Sequence, residues 1–131
     1  MVAGYVPAET VLVEYLTGKF PDAFVCTETP DNLEEVLPAI QVERIGGTDS
    51  VITLDVARVD VDVFAASRED ARNLSEEVRS LLRNDLIGLT ISGAVVADVV
   101  TVSAPAKQFW DSTTLRRFVA TYEATIHCNP L

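Results

Sequence analysis

The sequence has little of what most enzymes use for chemistry. It contains one histidine and two cysteines in 131 residues, and the cysteines do not form a Cys-x-x-Cys pair. A metal site needs several converging ligands, and a nucleophile needs a base together with a group that orients the base. The scarcity of these groups excludes a disulfide framework. We therefore expect a protein that is not an enzyme and has no catalytic residue, cofactor or metal.

Long apolar runs are missing as well. No stretch approaches the roughly 18 consecutive apolar residues that span a bilayer, and the first residues lack the basic-then-apolar plan of a signal peptide. We expect a chain that folds in the cytosol and does not enter a membrane. Hydrophobic residues make up 48% and charged residues 23%, which is typical of a globular protein. We interpret residues 1–131 as a single domain.

Positive charge is scarce in the first half of the chain. Residues 1–62 hold 12 acidic and 3 basic side chains, a charge of −9, whereas residues 63–131 hold 8 and 7, a charge of −1. Nucleic-acid binding needs clustered Lys and Arg to neutralise phosphates, so this acidity argues against a protein that wraps nucleic acid. An acidic surface remains suitable for a passage through which DNA slides without binding.

The clearest positive signal is a change of period in the middle of the chain. Residues 54–64 alternate between apolar and polar, strictly so over residues 58–63, which is typical of a half-buried strand. Ser67 then stands as a helix N-cap with Asp70 at the capping-box position, and apolar residues recur at helical spacing as far as Asn84. In the strand we expect Val59, Val61 and Val63 on one face and Arg58, Asp60, Asp62 and Phe64 on the other.

The other segments complete an α+β pattern. Helical spacing follows Pro7 as far as Gly18, and strand patterns cover residues 23–27, 39–45, 94–103 and 115–128. Residues 29–38 are acidic and bounded by prolines, which predicts a loop with at most one helical turn, and residues 86–92 can hold a brief extended piece. The order α-β-β-β-α-β-β predicts a mostly antiparallel, twisted sheet of about five strands with two helices packed on one face.

Two segments are candidates for contacts with partners. Residues 46–50 have turn chemistry and predict a hairpin, which residues 51–53 could extend into a projecting arm. Phe109 and Trp110 lie in a predicted polar loop, where they either pack back as a satellite cluster or anchor a partner. Arg116 and Arg117 are either a solvated strand start or an intersubunit ion pair. The candidate partner or oligomer contacts are Gly46, Gly47, Asp49, Phe109, Trp110, Arg116 and Arg117.

Three apparent chemical motifs have simpler explanations. His127 and Cys128 are adjacent in a strand and point to opposite faces, so they form no local dyad. Asp60 and Asp62 share a face about 7 Å apart, but we expect them on the solvated side near Arg58. Gly46-Gly47 lacks the spacing and the lysine of a phosphate loop. Cys26 and Cys128 are expected to be buried free thiols.

The chain resembles the tail terminator proteins of long-tailed bacteriophages, particularly those that infect actinobacteria. The resemblance covers nearly the whole chain. It lies in the helix before Phe20-Pro21, in IQVERIGG (residues 40–47) and ARVDVDVFA (57–65), in the helix of residues 71–82, and in the closing RRFVATYE (116–123).

This resemblance implies a virion component without enzymatic activity. Family members form a six-membered ring on the finished tail tube, stop its polymerisation and present a surface to the head-completion, or stopper, protein of the neck. It implies a place at the tail–neck junction after assembly in the bacterial cytoplasm, with genome DNA passing through the lumen. Two alternatives remain open: another head–tail joining or tail-completion protein, and a small ligand-binding regulatory module.

Overall fold

The computed structural model describes residues 5–51 and 54–128. Within them, two α-helices accompany one sheet of six strands in the order β1-β2-β3-β6-β5-β4. The elements are α1 (Ala8–Lys19), β1 (Phe24–Cys26), a 3-10 turn (Leu33–Glu35), β2 (Ala39–Val51), β3 (Leu54–Ala65), α2 (Arg68–Asn84), β4 (Thr90–Ile91), β5 (Ala94–Gln108) and β6 (Arg116–Cys128). No helix in these ranges is long and apolar enough to cross a membrane.

The sheet confirms the α+β class but differs from the predicted sheet in detail. It has six strands, not about five, because the brief extended piece before Gly93 pairs with β5 as β4. It is mixed, because β1 runs parallel to β2 while every other pairing is antiparallel. A three-residue strand of the sequence FVC carries no signal of its direction, which is set by the loop that follows it.

β5 extends five residues beyond its predicted end at Ser103, so the loop before β6 is shorter than expected. Pro105 suggested a loop because proline has no N–H to donate to a ladder. Here it lies on the outer side of the sheet, at a register shift between Ser103 and Ala106. Bulges and outer strands are the positions where a sheet tolerates proline.

The predicted hairpin between the second and third strands is confirmed as β2–β3, but its turn does not lie at residues 46–50, because β2 continues through them to Val51. The register shifts by one residue at Ile45, so Arg44 pairs with Val59 and Gly46 with Arg58. The two glycines have φ of 142° and 122°, values that L side chains rarely adopt. They therefore serve a β-bulge and its close backbone approach. The possible extension through residues 52–53 lies outside the described residues.

Both helices pack on the same face of the sheet, as predicted. α2 begins at Ser67, whose hydroxyl accepts a hydrogen bond from the Asp70 amide at 3.1 Å. Its buried face and that of α1 join the alternating strand residues in one apolar core. Members of this core include Val11, Leu12, Leu16, Val59, Val61, Val63, Val78, Leu82, Tyr122 and Ile126.

The helix-free face carries a second, smaller cluster. Leu33 of the 3-10 turn packs there with Ala39, Phe64 and Leu115, and Trp110 lies against them. The helical turn predicted within residues 29–38 is confirmed as the 3-10 turn. Its buried residue, Leu33, packs on the sheet. It covers one end of a face that the alternation alone marks as solvated.

A buried hydroxyl in the core predicts a stabilising substitution. Tyr122 is 1% exposed, and its hydroxyl has no hydrogen-bond partner among the described residues. Burial raises the pKa of Tyr122. Because an unpaired buried hydroxyl costs about 1 kcal/mol or more, we expect Tyr122→Phe to raise the unfolding free energy by about 1 kcal/mol and the Tm by about 4 °C. Tyr15→Phe is the control and should lose stability, since that hydroxyl donates to Asp85 at 2.6 Å. A destabilised Tyr122→Phe protein would contradict the prediction.

Candidate functional site

The residues that resembled catalytic or metal-binding motifs in the sequence are either far apart or hydrogen-bonded to other groups within the chain. Among the described residues no group of three or more His, Cys, Asp and Glu side chains could hold a metal ion. His127 is exposed while Cys128 is buried, as strand alternation predicts, and the Cys128 sulfur accepts a hydrogen bond from the Val6 amide at 3.1 Å. Both cysteines are free, but Cys26 is only half-buried. Burial raises the pKa of its thiol, which makes it a poor nucleophile.

We expected Asp62 on a solvated surface near Arg58, and this prediction is wrong. Asp62 is 4% exposed and accepts hydrogen bonds from Arg117 Nε at 2.9 Å and Nη2 at 2.7 Å. Arg58 instead pairs with Glu123 at 3.2 Å. Burial raises the pKa of Asp62 despite the opposing effect of Arg117. Asp62 and Arg117 form an ion pair within the chain.

Asp60 also has a partner within the chain. Its carboxylate accepts a hydrogen bond from the Thr121 hydroxyl at 2.5 Å. The two aspartates therefore have separate partners on β6 and do not form a shared acid–base or metal site. They hold β3 against β6 on the helix-free face.

A second ion pair lies on the helix face, at the bulge. Arg44 Nη1 and Nη2 donate to Asp55 at 2.7 and 2.8 Å, and this bonding raises the pKa of Arg44. Glu9 of α1 accepts a hydrogen bond from the Arg44 amide at 2.8 Å. Sequence reasoning missed the pair, although a signal exists: Asp55 has the same alternation phase as Val59, Val61 and Val63. An acid in the buried phase of a strand needs a partner.

Of the two roles predicted for Phe109 and Trp110, Trp110 packs back on the chain as a satellite cluster, whereas Phe109 is exposed and available to a partner. Trp110 packs back edge-on against Phe64, with ring centroids 4.9 Å apart, and the Arg117 guanidinium lies 5.4 Å from the Trp110 ring centre. Phe109 is 83% exposed. Its carbonyl accepts from Arg117 at 3.4 Å, so the exposed ring projects from a loop that is anchored on both sides.

Four of the seven candidate residues come together here. Phe109, Trp110, Arg116 and Arg117 line one cleft of about 270 Å³, which also includes Lys107. Arg116 donates to the Leu115 carbonyl at 3.0 Å and the Thr113 carbonyl at 3.5 Å. Among the described residues it makes no ion pair.

The other three candidates lie at the far end of the sheet. Gly46, Gly47 and Asp49 pair with Arg58, Ala57 and Asp55 of β3, whereas the cleft adjoins the pairing of Gln108 with Arg117. Tyr5 donates a hydrogen bond to Asp49 at 3.3 Å. The seven candidate residues therefore lie on two separate surfaces and do not form one site.

Both outer sides of the sheet lack a partner strand over most of their length. β1 covers β2 only along residues 39–41, and β4 covers β5 only at Ala94 and Val95. Beyond these points the Arg44 amide is bound by Glu9, and Val96 exchanges backbone hydrogen bonds with Gly88 and Leu89, but no other strand among the described residues pairs with either outer side. Unpaired strand N–H and C=O groups are templates for pairing with another chain.

Comparisons with known proteins identify this architecture. The family model described as phage tail termination protein matches residues 4–92, which is more than half of the chain. Among solved structures, a chain of the virion of a native gene transfer agent particle is 15% identical, with a TM-score of 0.55. That alignment covers 92% of this chain and 87% of the other, and it shows a shared fold. No curated protein matches. By its family match, the chain belongs to the phage tail termination proteins.

Proposed function

We propose that this protein is a structural component of the virion that closes the end of the phage tail tube as a ring, stops tube polymerisation and offers a surface to the stopper protein of the neck. Family membership supports the tail role. The single observation that carries the ring is the pair of open outer sides, on β2 and β5. They belong to different strands, so each can meet the other on a neighbouring copy.

Such a contact is heterologous, and a heterologous contact that closes on itself makes a ring. Strand addition at the open sides supplies main-chain hydrogen bonds between copies. Six copies, the number typical of the family that the sequence resembles, would assemble on the tube at the tail–neck junction in the host cytoplasm.

The helix-free face is the best candidate for the lumen. Arg58 and Arg117 are neutralised there by Glu123 and Asp62. Asp60 and Asp98 make no ion pairs among the described residues, which leaves this face acidic. An acidic wall would let genome DNA pass without binding. A reconstruction of the ring tests this assignment, and a basic lumen would contradict it.

Loss of the gene is the direct test of the function. We expect phage without it to make tails that exceed the normal length and do not join heads. A plasmid copy should restore both, as should the variants His127→Ala and Cys26→Ser, which keep the surfaces and remove the groups an enzyme would use. Tail length and head attachment are measured by electron microscopy.

Tails of normal length in the deletion would contradict the proposal. Localisation separates the remaining alternative, since a terminator is found on detached tails whereas another head–tail joining protein can be absent from them.

A further inference from the structure

One row of paired residues crosses the sheet from one outer side toward the other. Phe24 pairs with Ala39, Ala39 with Phe64, Phe64 with Arg117, and Arg117 with Gln108. Five strands at the usual spacing make this row about 19 Å long. Its two ends therefore lie at the same height along the strands, on opposite sides of the molecule.

The Gln108 end of the row is basic and aromatic. We name Lys107, Phe109 and Arg116 the basic patch. All three line the cleft described above, and Phe109 is the most exposed large hydrophobic residue described. Neither Lys107 nor Arg116 makes an ion pair among the described residues. In a chain of net charge −10, two unpaired cations beside an anchored aromatic ring form a surface for an acidic partner.

Acidic groups lie just beyond the Phe24 end of the row, farther along β2. We name Glu28, Gln41 and Glu43 the acidic patch. They line one shallow depression of about 340 Å³ with Thr27 and Thr29. Glu28 and Glu43 are exposed and have no ion-pair partner among the described residues. Phe24, 40% exposed, adds an apolar group beside them.

We propose that the basic patch of one copy docks on the acidic patch of the next copy, so that Phe109 enters the Glu28–Glu43 depression. This inference rests on the proposed ring and names the side chains that set its direction. A closed ring has no rise along its axis, so patches that meet must lie at one height along that axis, which this proposal sets parallel to the strands. Lys107 pairs through Phe118 and Val63 with Ile40, the residue before Gln41, so the two patches begin at nearly one height on opposite sides of the sheet. Opposite charge then distinguishes head-to-tail contact from head-to-head and tail-to-tail contacts, which would bring like charges together.

The test uses two charge reversals and their mixture. Lys107→Glu with Arg116→Glu reverses the basic patch, and Glu28→Lys with Glu43→Lys reverses the acidic patch. Self-association is measured by native mass spectrometry and sedimentation, alone and with purified tail tubes. We expect each reversal to weaken association by roughly 10- to 100-fold, since like charges then face each other.

An equimolar mixture of the two reversals should associate like the wild type. In an alternating ring every contact is again between opposite charges, and a six-membered ring can alternate without a mismatch. Arg68→Glu with Arg72→Glu on the exposed side of α2 is the matched control and should leave association unchanged. Phe109→Ser tests the same contact without a charge reversal and should also weaken association, because removing an 83% exposed ring leaves the core intact.

The outcomes separate the two proposals. Reversals and Phe109→Ser that associate like the wild type would overturn the docking and leave the ring standing. Reversals that dissociate without recovery in the mixture would overturn the pairing of these two patches. A wild-type protein that does not associate even on tubes would overturn the ring, and the docking with it.

Discussion

Arg117→Ala is expected to lower the unfolding free energy by about 3 kcal/mol, because it leaves a buried carboxylate without its counter-ion. The Asp62 side chain is 6% exposed and that of Arg117 is 28% exposed. The partial exposure of Arg117 places the expected loss at the lower end of the range for buried pairs. Arg117 also lies over the Trp110 ring, so the substitution removes packing from the Phe109 loop. Urea unfolding at neutral pH measures the loss.

The loss should depend on pH in a defined direction. Burial already raises the pKa of Asp62 in the wild type, and removal of Arg117 takes away the group that opposes this rise. A folded-state pKa above the unfolded value of about 3.9 penalises the charged form. The penalty is complete above the folded-state pKa, declines as the pH falls from that value toward the unfolded one, and is absent below the unfolded value. We therefore expect the gap between variant and wild type to narrow in acid.

Two comparisons separate the buried charge from the loss of a side chain. Arg58→Ala breaks the exposed pair with Glu123 and should cost less than about 1 kcal/mol. The double variant Asp62→Asn with Arg117→Met should recover much of the loss, because it leaves no isolated charge in the second cluster. An Arg117→Ala protein as stable as Arg58→Ala would show that Asp62 reaches water.

The sequence predicted features that depend on local signals. α2 begins after its capping serine and ends at Asn84, and β3 has Val59, Val61 and Val63 on the helix face. Each signal lies within a few residues of the element that it specifies, so one sequence suffices to read it. The assignment of strand residues to the two faces of the sheet was also predictable, because the strands near the core alternate with period two.

Features that depend on distant packing were not predictable in this way. The alternation of β3 marks Asp62 as solvated, and the approach of Arg117 and Trp110 from distant parts of the chain accompanies its burial. The same approach separates the fates of Phe109 and Trp110, which are neighbours in sequence. Gly46 and Gly47 signal an unusual backbone, but a turn and a bulge use the same residues. The pairing partner, 10 or so residues away, decides between them.

The glycines at the bulge give the last prediction, for which the chain offers a matched pair. A Cβ at Gly47 would lie 2.0 Å from the Val56 carbonyl oxygen and 3.0 Å from Ala57 Cα and the Arg58 nitrogen. All three atoms are backbone, so no side chain can move aside. A Cβ at Gly46 meets nothing within 4 Å, although both residues have positive φ. Gly46→Ala therefore measures backbone strain alone, about 1–2 kcal/mol, and Gly47→Ala measures strain plus a collision.

We expect Gly47→Ala to cost more than about 3 kcal/mol, because β2 must separate from β3 around Ala57 to admit the methyl group. Ala57 is fully buried, and the Arg44–Asp55 pair spans the same bulge, so the damage reaches the core and the position of α1 through Glu9. Thermal unfolding compares the two alanine variants, and amide hydrogen exchange shows whether protection is lost first at residues 54–58. Equal stability of Gly46→Ala and Gly47→Ala would contradict the close approach. If the ring needs the open side of β2, Gly47→Ala should also fail to restore tail length in the deletion phage, while Gly46→Ala succeeds.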